Sequence, residues 1–216
     1  ARGSATNKVI KSGPSSRAPG MEQGTIQIAS NAGRHIGSEM SGGHITVDGD
    51  ASDWVGAEMK GGLIEVKGRA GHLVGSAYRG SARGMTGGTI LVHGDVGNEI
   101  GHSMRRGLLA VGGNTGDLVG FNMLAGTILI WGESGIRHGA GMKRGTIGFM
   151  GDHHPPVLVS FKHGCRFRSE AITLILKYLE ELEFPVPAAT WDADFDLFHG
   201  DMLEGGRGEL LLKVVN

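Results

Sequence analysis

The sequence predicts an all-β protein, a parallel β-solenoid (β-helix) of about seven 19-residue coils with a small C-terminal α+β cap. Three observations carry this. Methionines fall at 21, 40, 59, 85, 104, 123 and 142, and five of the six intervals are 19 residues. Glycine supplies 40 of the 216 residues, far above its usual share of about 7%, and it keeps a fixed phase to those methionines. Between the glycines run short segments with apolar residues two apart, the pattern of one face of a β-strand.

Each coil can be counted from its methionine as position zero. Position three is then Gly24, Gly43, Gly62, Gly88, Gly107, Gly126 and Gly145. Position nine is Ser30 once and glycine from Gly49 to Gly151; position twelve is glycine in five of six complete units, with Ser52 departing. Position sixteen is Gly37, Gly56, Gly75, Gly101, Gly120 and Gly139. Positions five and seven are apolar pairs, from Ile26/Ile28 to Ile147/Phe149, and position fifteen is Ile36, Val55, Val74, Ile100, Val119 and then His138. The single interval of 26 residues, from Met59 to Met85, holds a seven-residue insertion within YRGSARG.

Glycine fits this plan at corners with positive φ and wherever backbones come close. A unit this short cannot bury its apolar face alone, so the units stack, about 4.8 Å apart, into a tube roughly 35 Å long. The methionines then form an internal column of adaptable filler. Hexapeptide acyltransferase helices repeat every six residues, and no six-fold phase fits offsets of three, five, seven, nine, twelve, fifteen and sixteen.

Residues 1–20 read as a flexible or truncated lead-in and are assigned no fold. Residues 21–151 are the solenoid and 152–216 a capping segment. In that segment HHPP (153–156) acts as a linker and VLVSF (157–161) as a strand. A helix starts at Ser169, a good N-cap with Glu170 in the first turn, and presents Ile172, Ile175, Leu176, Leu179 and Leu182 on one face. FPVP stops it, and the remainder holds a Gly-rich turn and a final strand. A solenoid end leaves strand unpaired and needs a cover, which is the expected task of this segment.

Composition excludes several classes. A net charge of −1 gives no global signal for nucleic acid or an anionic membrane. No run of 18 apolar residues and no signal peptide is present. Cys165 is the sole cysteine, so no intrachain disulfide or cysteine-based zinc site is available, and the cytoplasm is the expected compartment. GxG strings such as GDVGNEIG (94–101) lead into another strand, whereas phosphate-binding loops open a helix.

No catalytic or metal constellation stands out. His153 and His154 read as solvated linker residues, Cys165 as a packed, inert thiol, and Asp152, Asp192, Asp194, Asp196 and Asp201 as scattered acids. One feature rises above these. Arg105 and Arg106 occupy positions one and two of their coil, and Lys143 and Arg144 the same positions two coils on, with Leu124 and Ala125 between. Stacking places these cations on one ridge, suited to an anionic cofactor tail or an acidic partner. Lys60 shares the register, Arg79 and Arg83 lie in the insertion, and KHGCRFR adds Lys162, Arg166 and Arg168.

The repeated GxxGxxxG with MxGGxIxV, the insertion before Met85, and FPVP followed by HGDMLEGGRGELLL resemble the GXGXG domain shared by the large subunit of glutamate synthase and one subunit of formylmethanofuran dehydrogenase. The GXGXG subunit family of the formyltransferase/hydrolase complex is the nearer likeness. The resemblance implies a right-handed β-helix and a non-catalytic scaffold subunit in one-carbon metabolism. It implies three partners: a formyltransferase subunit, an amidohydrolase-like formyl hydrolase subunit and a further accessory subunit. Formyl would pass from formyl-tetrahydromethanopterin to a methanofuran-type carrier, whose glutamate-rich tail suits the ridge, and leave as formate. The competing readings are the GXGXG subunit of a formylmethanofuran dehydrogenase, the β-helix subunit of a glutamate synthase-like (N-methylglutamate synthase) enzyme, and a solenoid hydrolase or transferase acting alone.

Overall fold

The computed structural model describes residues 7–10 and 18–215. Within them one sheet runs the length of the solenoid and into the cap. Its parallel part comprises β1 (Asn7–Ile10), β2 (Thr25–Ile28), β3 (His44–Val47), β4 (Leu63–Val66), β5 (Thr89–Val92), β6 (Leu108–Val111), β7 (Thr127–Ile130) and β8 (Gly145–Phe149). From β2 to β8 every strand pairs with its successor in the register of the repeat, so that Ile26 opposes Ile45, Ile45 opposes Ile64, and Ile128 opposes Ile147. The expected file of position-sixteen glycines is present: Gly101, Gly120 and Gly139 each donate N–H to the position-fifteen carbonyl one coil below, at 2.7, 2.8 and 2.8 Å. The lead-in needs correction, because Asn7–Ile10 forms β1 and pairs in parallel with β2. The rest of that stretch up to residue 17 lies outside the described residues.

Side chains at positions zero, five, seven and fifteen fill the tube. Met40, Met59, Met85, Met104, Met123 and Met142 are fully buried in one column, among Ile45, Ile64, Ile90, Leu109, Ile128 and Ile147. His138 closes the position-fifteen column. Its Nε2–H donates to the Gly135 carbonyl at 2.9 Å and its Nδ1 accepts the Val119 N–H at 3.2 Å. Accepting at Nδ1 needs neutral imidazole, and burial lowers the His138 pKa to about 4, against the Gly135 bond, which favours the protonated ring.

Two further ladders run up the turns. At position ten, Asn31, Asp50, Asp95 and Asn114 each accept the N–H one coil above, from Asp50, Arg69, Asn114 and Glu133, at 2.7–2.9 Å. At position thirteen, Asp53, His72, Asn98 and Asp117 do the same for His72, Asn98, Asp117 and Ile136. These acceptors occupy the space that a side chain at positions nine or twelve would need: a Cβ on Gly113 would lie 2.5 Å from Asp95 Oδ1, and one on Gly97 2.5 Å from His72 Nδ1. Ser52 now has its reason. The residue below it at position thirteen is Arg34, which offers no acceptor to the coil above.

The cap continues the sheet. β11 (Gly208–Lys213) pairs in parallel with β8, β10 (Phe195–Gly200) antiparallel with β11, and β9 (Lys162–Phe167) antiparallel with β10. VLVSF was expected as a strand and is not one; the strand begins after it, at Lys162. Those apolar residues plug the tube instead. Phe161 is buried in the solenoid core with Leu210 and Leu212, and Val157 and Leu158 pack against it, while a turn exposes Val159.

The helix α1 (Glu170–Glu181) starts at Ser169 as expected, with the Ser169 Oγ accepting the Ile172 N–H. Its Ile172, Leu176 and Leu179 bury against Leu91, Ala110, Leu129 and Met150 on the outer sheet face. The outward position six is Gln27, Thr46 and Glu65 in the earlier coils and Leu91, Ala110 and Leu129 in the later ones. That polar-to-apolar switch marks where the helix lies.

Two outcomes are expected. Gly116→Ala, which drives a Cβ into Asn98 Oδ1, will cost about 1–3 kcal/mol in urea unfolding, and much of that cost will vanish in an Asn98→Ala background. Neutral His138 stabilises the fold fully above pH 6.5, and that stability is lost as pH falls toward 4. Between pH 7 and pH 5 the wild type will therefore lose about 2 kcal/mol more than His138→Val; parallel pH profiles would refute a neutral, buried His138.

Candidate functional site

The corner after the methionine column carries the expected basic site. Each methionine is buried, and the chain then turns outward at positions one and two. The N–H groups of Arg105, Leu124 and Lys143 bond to the carbonyls of Met85, Met104 and Met123, each at 2.8 Å, which fixes the height of each level. Arg105, Arg106, Lys143 and Arg144 line one groove of about 350 Å³, with Leu124 and Ala125 between the two basic levels.

Arg207, from the cap, completes this groove and was missed in the sequence. Gly208 of β11 pairs with Gly145 of β8, so Arg207 stands one level beyond Arg144 in the position-two column. The signal was an Arg-Gly dipeptide opening three strands, at 106–107, 144–145 and 207–208. Chain order hid the third, because β11 is not 19 residues after β8.

The groove is strongly cationic. Lys143 Nζ lies 3.6 Å from Glu204 Oε2. Among the described residues Arg105, Arg106, Arg144 and Arg207 form no ion pair with an acidic side chain. Five cations against one nearby carboxylate, on an open surface, attract a chain of carboxylates or phosphates more than a single small anion.

The other basic residues stand apart. Lys60 is separated from Arg105 by a coil carrying Thr86 and Gly87 at those positions and does not line the groove. Arg79 and Arg83 are exposed on the insertion, whose Tyr78 packs on Trp54, with ring centroids 5.4 Å apart. Arg166 is bound twice by Asp196, at 2.8 and 2.9 Å, and Arg168 pairs with Asp192 and Asp194. These arginines and acids satisfy each other across the cap strands.

The acids that looked scattered are structural. The hydrogen bond from Arg166 holds Asp196 below the usual carboxylate range, and one from Lys213 does the same for Asp152. Burial raises the Asp201 pKa, yet N–H donors of Leu203 and Gly141 bring it below its ordinary value. His153 and His154 are exposed in the linker, as expected. Cys165 was expected to be packed; it is exposed, because β9 ends the sheet with both faces largely open. Among the described residues no three His, Cys, Asp or Glu side chains converge as metal ligands would, and no helix is long and apolar enough to cross a membrane.

Comparison with known proteins adds two findings. Residues 5–161 match the family described as the GXGXG motif. A solved structure, the formyltransferase/hydrolase complex from Methylorubrum extorquens with methylofuran, contains a chain of the same fold at a TM-score of 0.85. The two chains are 28% identical, over 96% of this chain and 78% of that one. No curated protein matches.

Polyglutamate is the simplest probe of the groove. Glu204→Gln frees Lys143 and is expected to tighten polyglutamate binding two- to fivefold at low salt, the scale of one exposed ion pair. A titration at 50 mM and 300 mM salt checks this, with the gain shrinking at high salt.

Proposed function

The chain belongs to the GXGXG motif family, and on that premise we propose that it is the GXGXG subunit, a non-catalytic scaffold, of a formyltransferase/hydrolase complex in one-carbon metabolism. In this reading a formyltransferase partner moves formyl from formyl-tetrahydromethanopterin to a methanofuran-type carrier. An amidohydrolase-like partner releases it as formate, and the assembly is completed by a further accessory subunit. This chain contributes a rigid tube whose in-register walls hold the partners at a fixed separation. The basic groove of Arg105, Arg106, Lys143, Arg144 and Arg207 engages a carboxylate-rich chain, either the glutamate tail of the carrier or an acidic partner segment.

The observation that carries the reading is the match over 96% of this chain to a chain of that complex. The basic groove and the structural pairing of the candidate acids support it.

In the native complex, Arg106→Glu with Arg144→Glu is expected to leave thermal unfolding of the purified chain unchanged. It will weaken carrier retention or subunit association at least tenfold, as two exposed charge reversals toward a polyanion imply. Native mass and carrier content report this; both unchanged would refute a role for the groove.

A further inference from the structure

The groove does not end at its arginines. Past Arg106 the chain enters β6 through Gly107 and Leu108, and these two residues, with Leu174, Ile175 and Tyr178 of α1, line an apolar trough of about 370 Å³. The peptide from Arg106 to Gly107 joins the two depressions, so one surface changes from cationic to apolar within a single residue step. Leu174 is 67% and Tyr178 42% exposed, while the neighbouring Ile172, Leu176 and Leu179 are buried. The helix thus spends one face on the solenoid and leaves a second apolar stripe beside the trough. The Tyr178 hydroxyl lies 3.2 Å from Thr89 Oγ1, which steadies the ring at the margin.

This surface distinguishes the two occupants left open above. A tail made only of carboxylates gains from the arginines and nothing from the trough. A protein segment with an apolar or aromatic side chain beside acidic residues uses both. Tyrosine and arginine are enriched at the buried centres of protein interfaces, and apolar anchors in pockets carry most of their energy. The trough is also shallow, unlike a small-molecule site that encloses most of its ligand. We propose that this corner is the docking surface for a partner subunit. The partner supplies an extended segment with an apolar anchor in the Leu108–Leu174–Tyr178 trough and carboxylates on Arg106 and Arg144. The proposal rests on the chain being a subunit of a multi-protein complex.

The test compares Leu174→Asp, an exposed position that leaves the fold intact, with wild type in the native complex. Association of one partner subunit is expected to weaken at least tenfold by native mass spectrometry, with the melting temperature of the isolated chain unchanged. A photo-crosslinking residue at 174 is expected to capture a peptide of that same subunit with Asp or Glu within a few residues of an apolar side chain. Reversing those acids to Lys is expected to restore association to Arg106→Glu. An intact complex with Leu174→Asp would overturn the inference, as would crosslinks to a second copy of this chain or to a segment without acids. If Arg106→Glu lost only carrier and Leu174→Asp lost nothing, the groove would belong to the tail. A wild-type chain that assembles with no partner would instead defeat the functional reading itself.

Discussion

The fold depends on one constraint: each coil sits directly on the next at the spacing of a hydrogen-bonded sheet, in a register that never slips between β2 and β8. This decides which residues the chain can use. Position sixteen is glycine with φ between +61° and +68°, yet positive φ alone does not demand it. Position fourteen is equally left-handed and carries His35, Trp54, Leu73, Glu99, Leu118 and Arg137. The difference is space. A Cβ on Gly120 would press to 2.5 Å from Ile147 Cδ1, in the strand that follows further up the tube, and one on Gly62 to 2.7 Å from Met40 Cε of the coil below. Glycine is required where the neighbouring coil already fills the volume.

The same stacking explains the polar turns. A backbone N–H that points up the tube needs an acceptor there, and Asn, Asp and one His supply it from the coil below at 19-residue intervals (26 across the insertion). Asp50, Asp53, Asp95 and Asp117 are part of this scaffolding. Glu65 in the outer wall follows a related logic. Burial alone would raise its pKa, but hydrogen bonds from Lys67 and His93 keep it low, so a charged group persists beside the cap at 8% exposure.

A solenoid also presents its surfaces in columns. Any side-chain property recurring at one position becomes a stripe, and the structure uses this to opposite ends on adjacent positions. Positions one and two carry cations at two levels, extended by Arg207. Positions three and four, with α1 beside them, form the apolar trough. A rigid strip of charge next to a hydrophobic one is the physical basis of the docking role proposed above.

The sequence alone was enough for the coil, its columns, the methionine core, the helix with its Ser169 cap, and the alignment of Arg105 and Arg106 with Lys143 and Arg144. In a repeat each residue's neighbour lies a fixed 19 residues away, so spatial proximity is written as periodicity. Only the tertiary structure placed Arg207 in the groove, turned VLVSF from strand into plug, exposed Cys165 and set α1 beside the trough. Those contacts join residues without a period: Thr146 meets Glu209 across 63 positions of chain, and the path between them is chosen by which apolar surfaces the end of the tube and its outer wall leave to be covered.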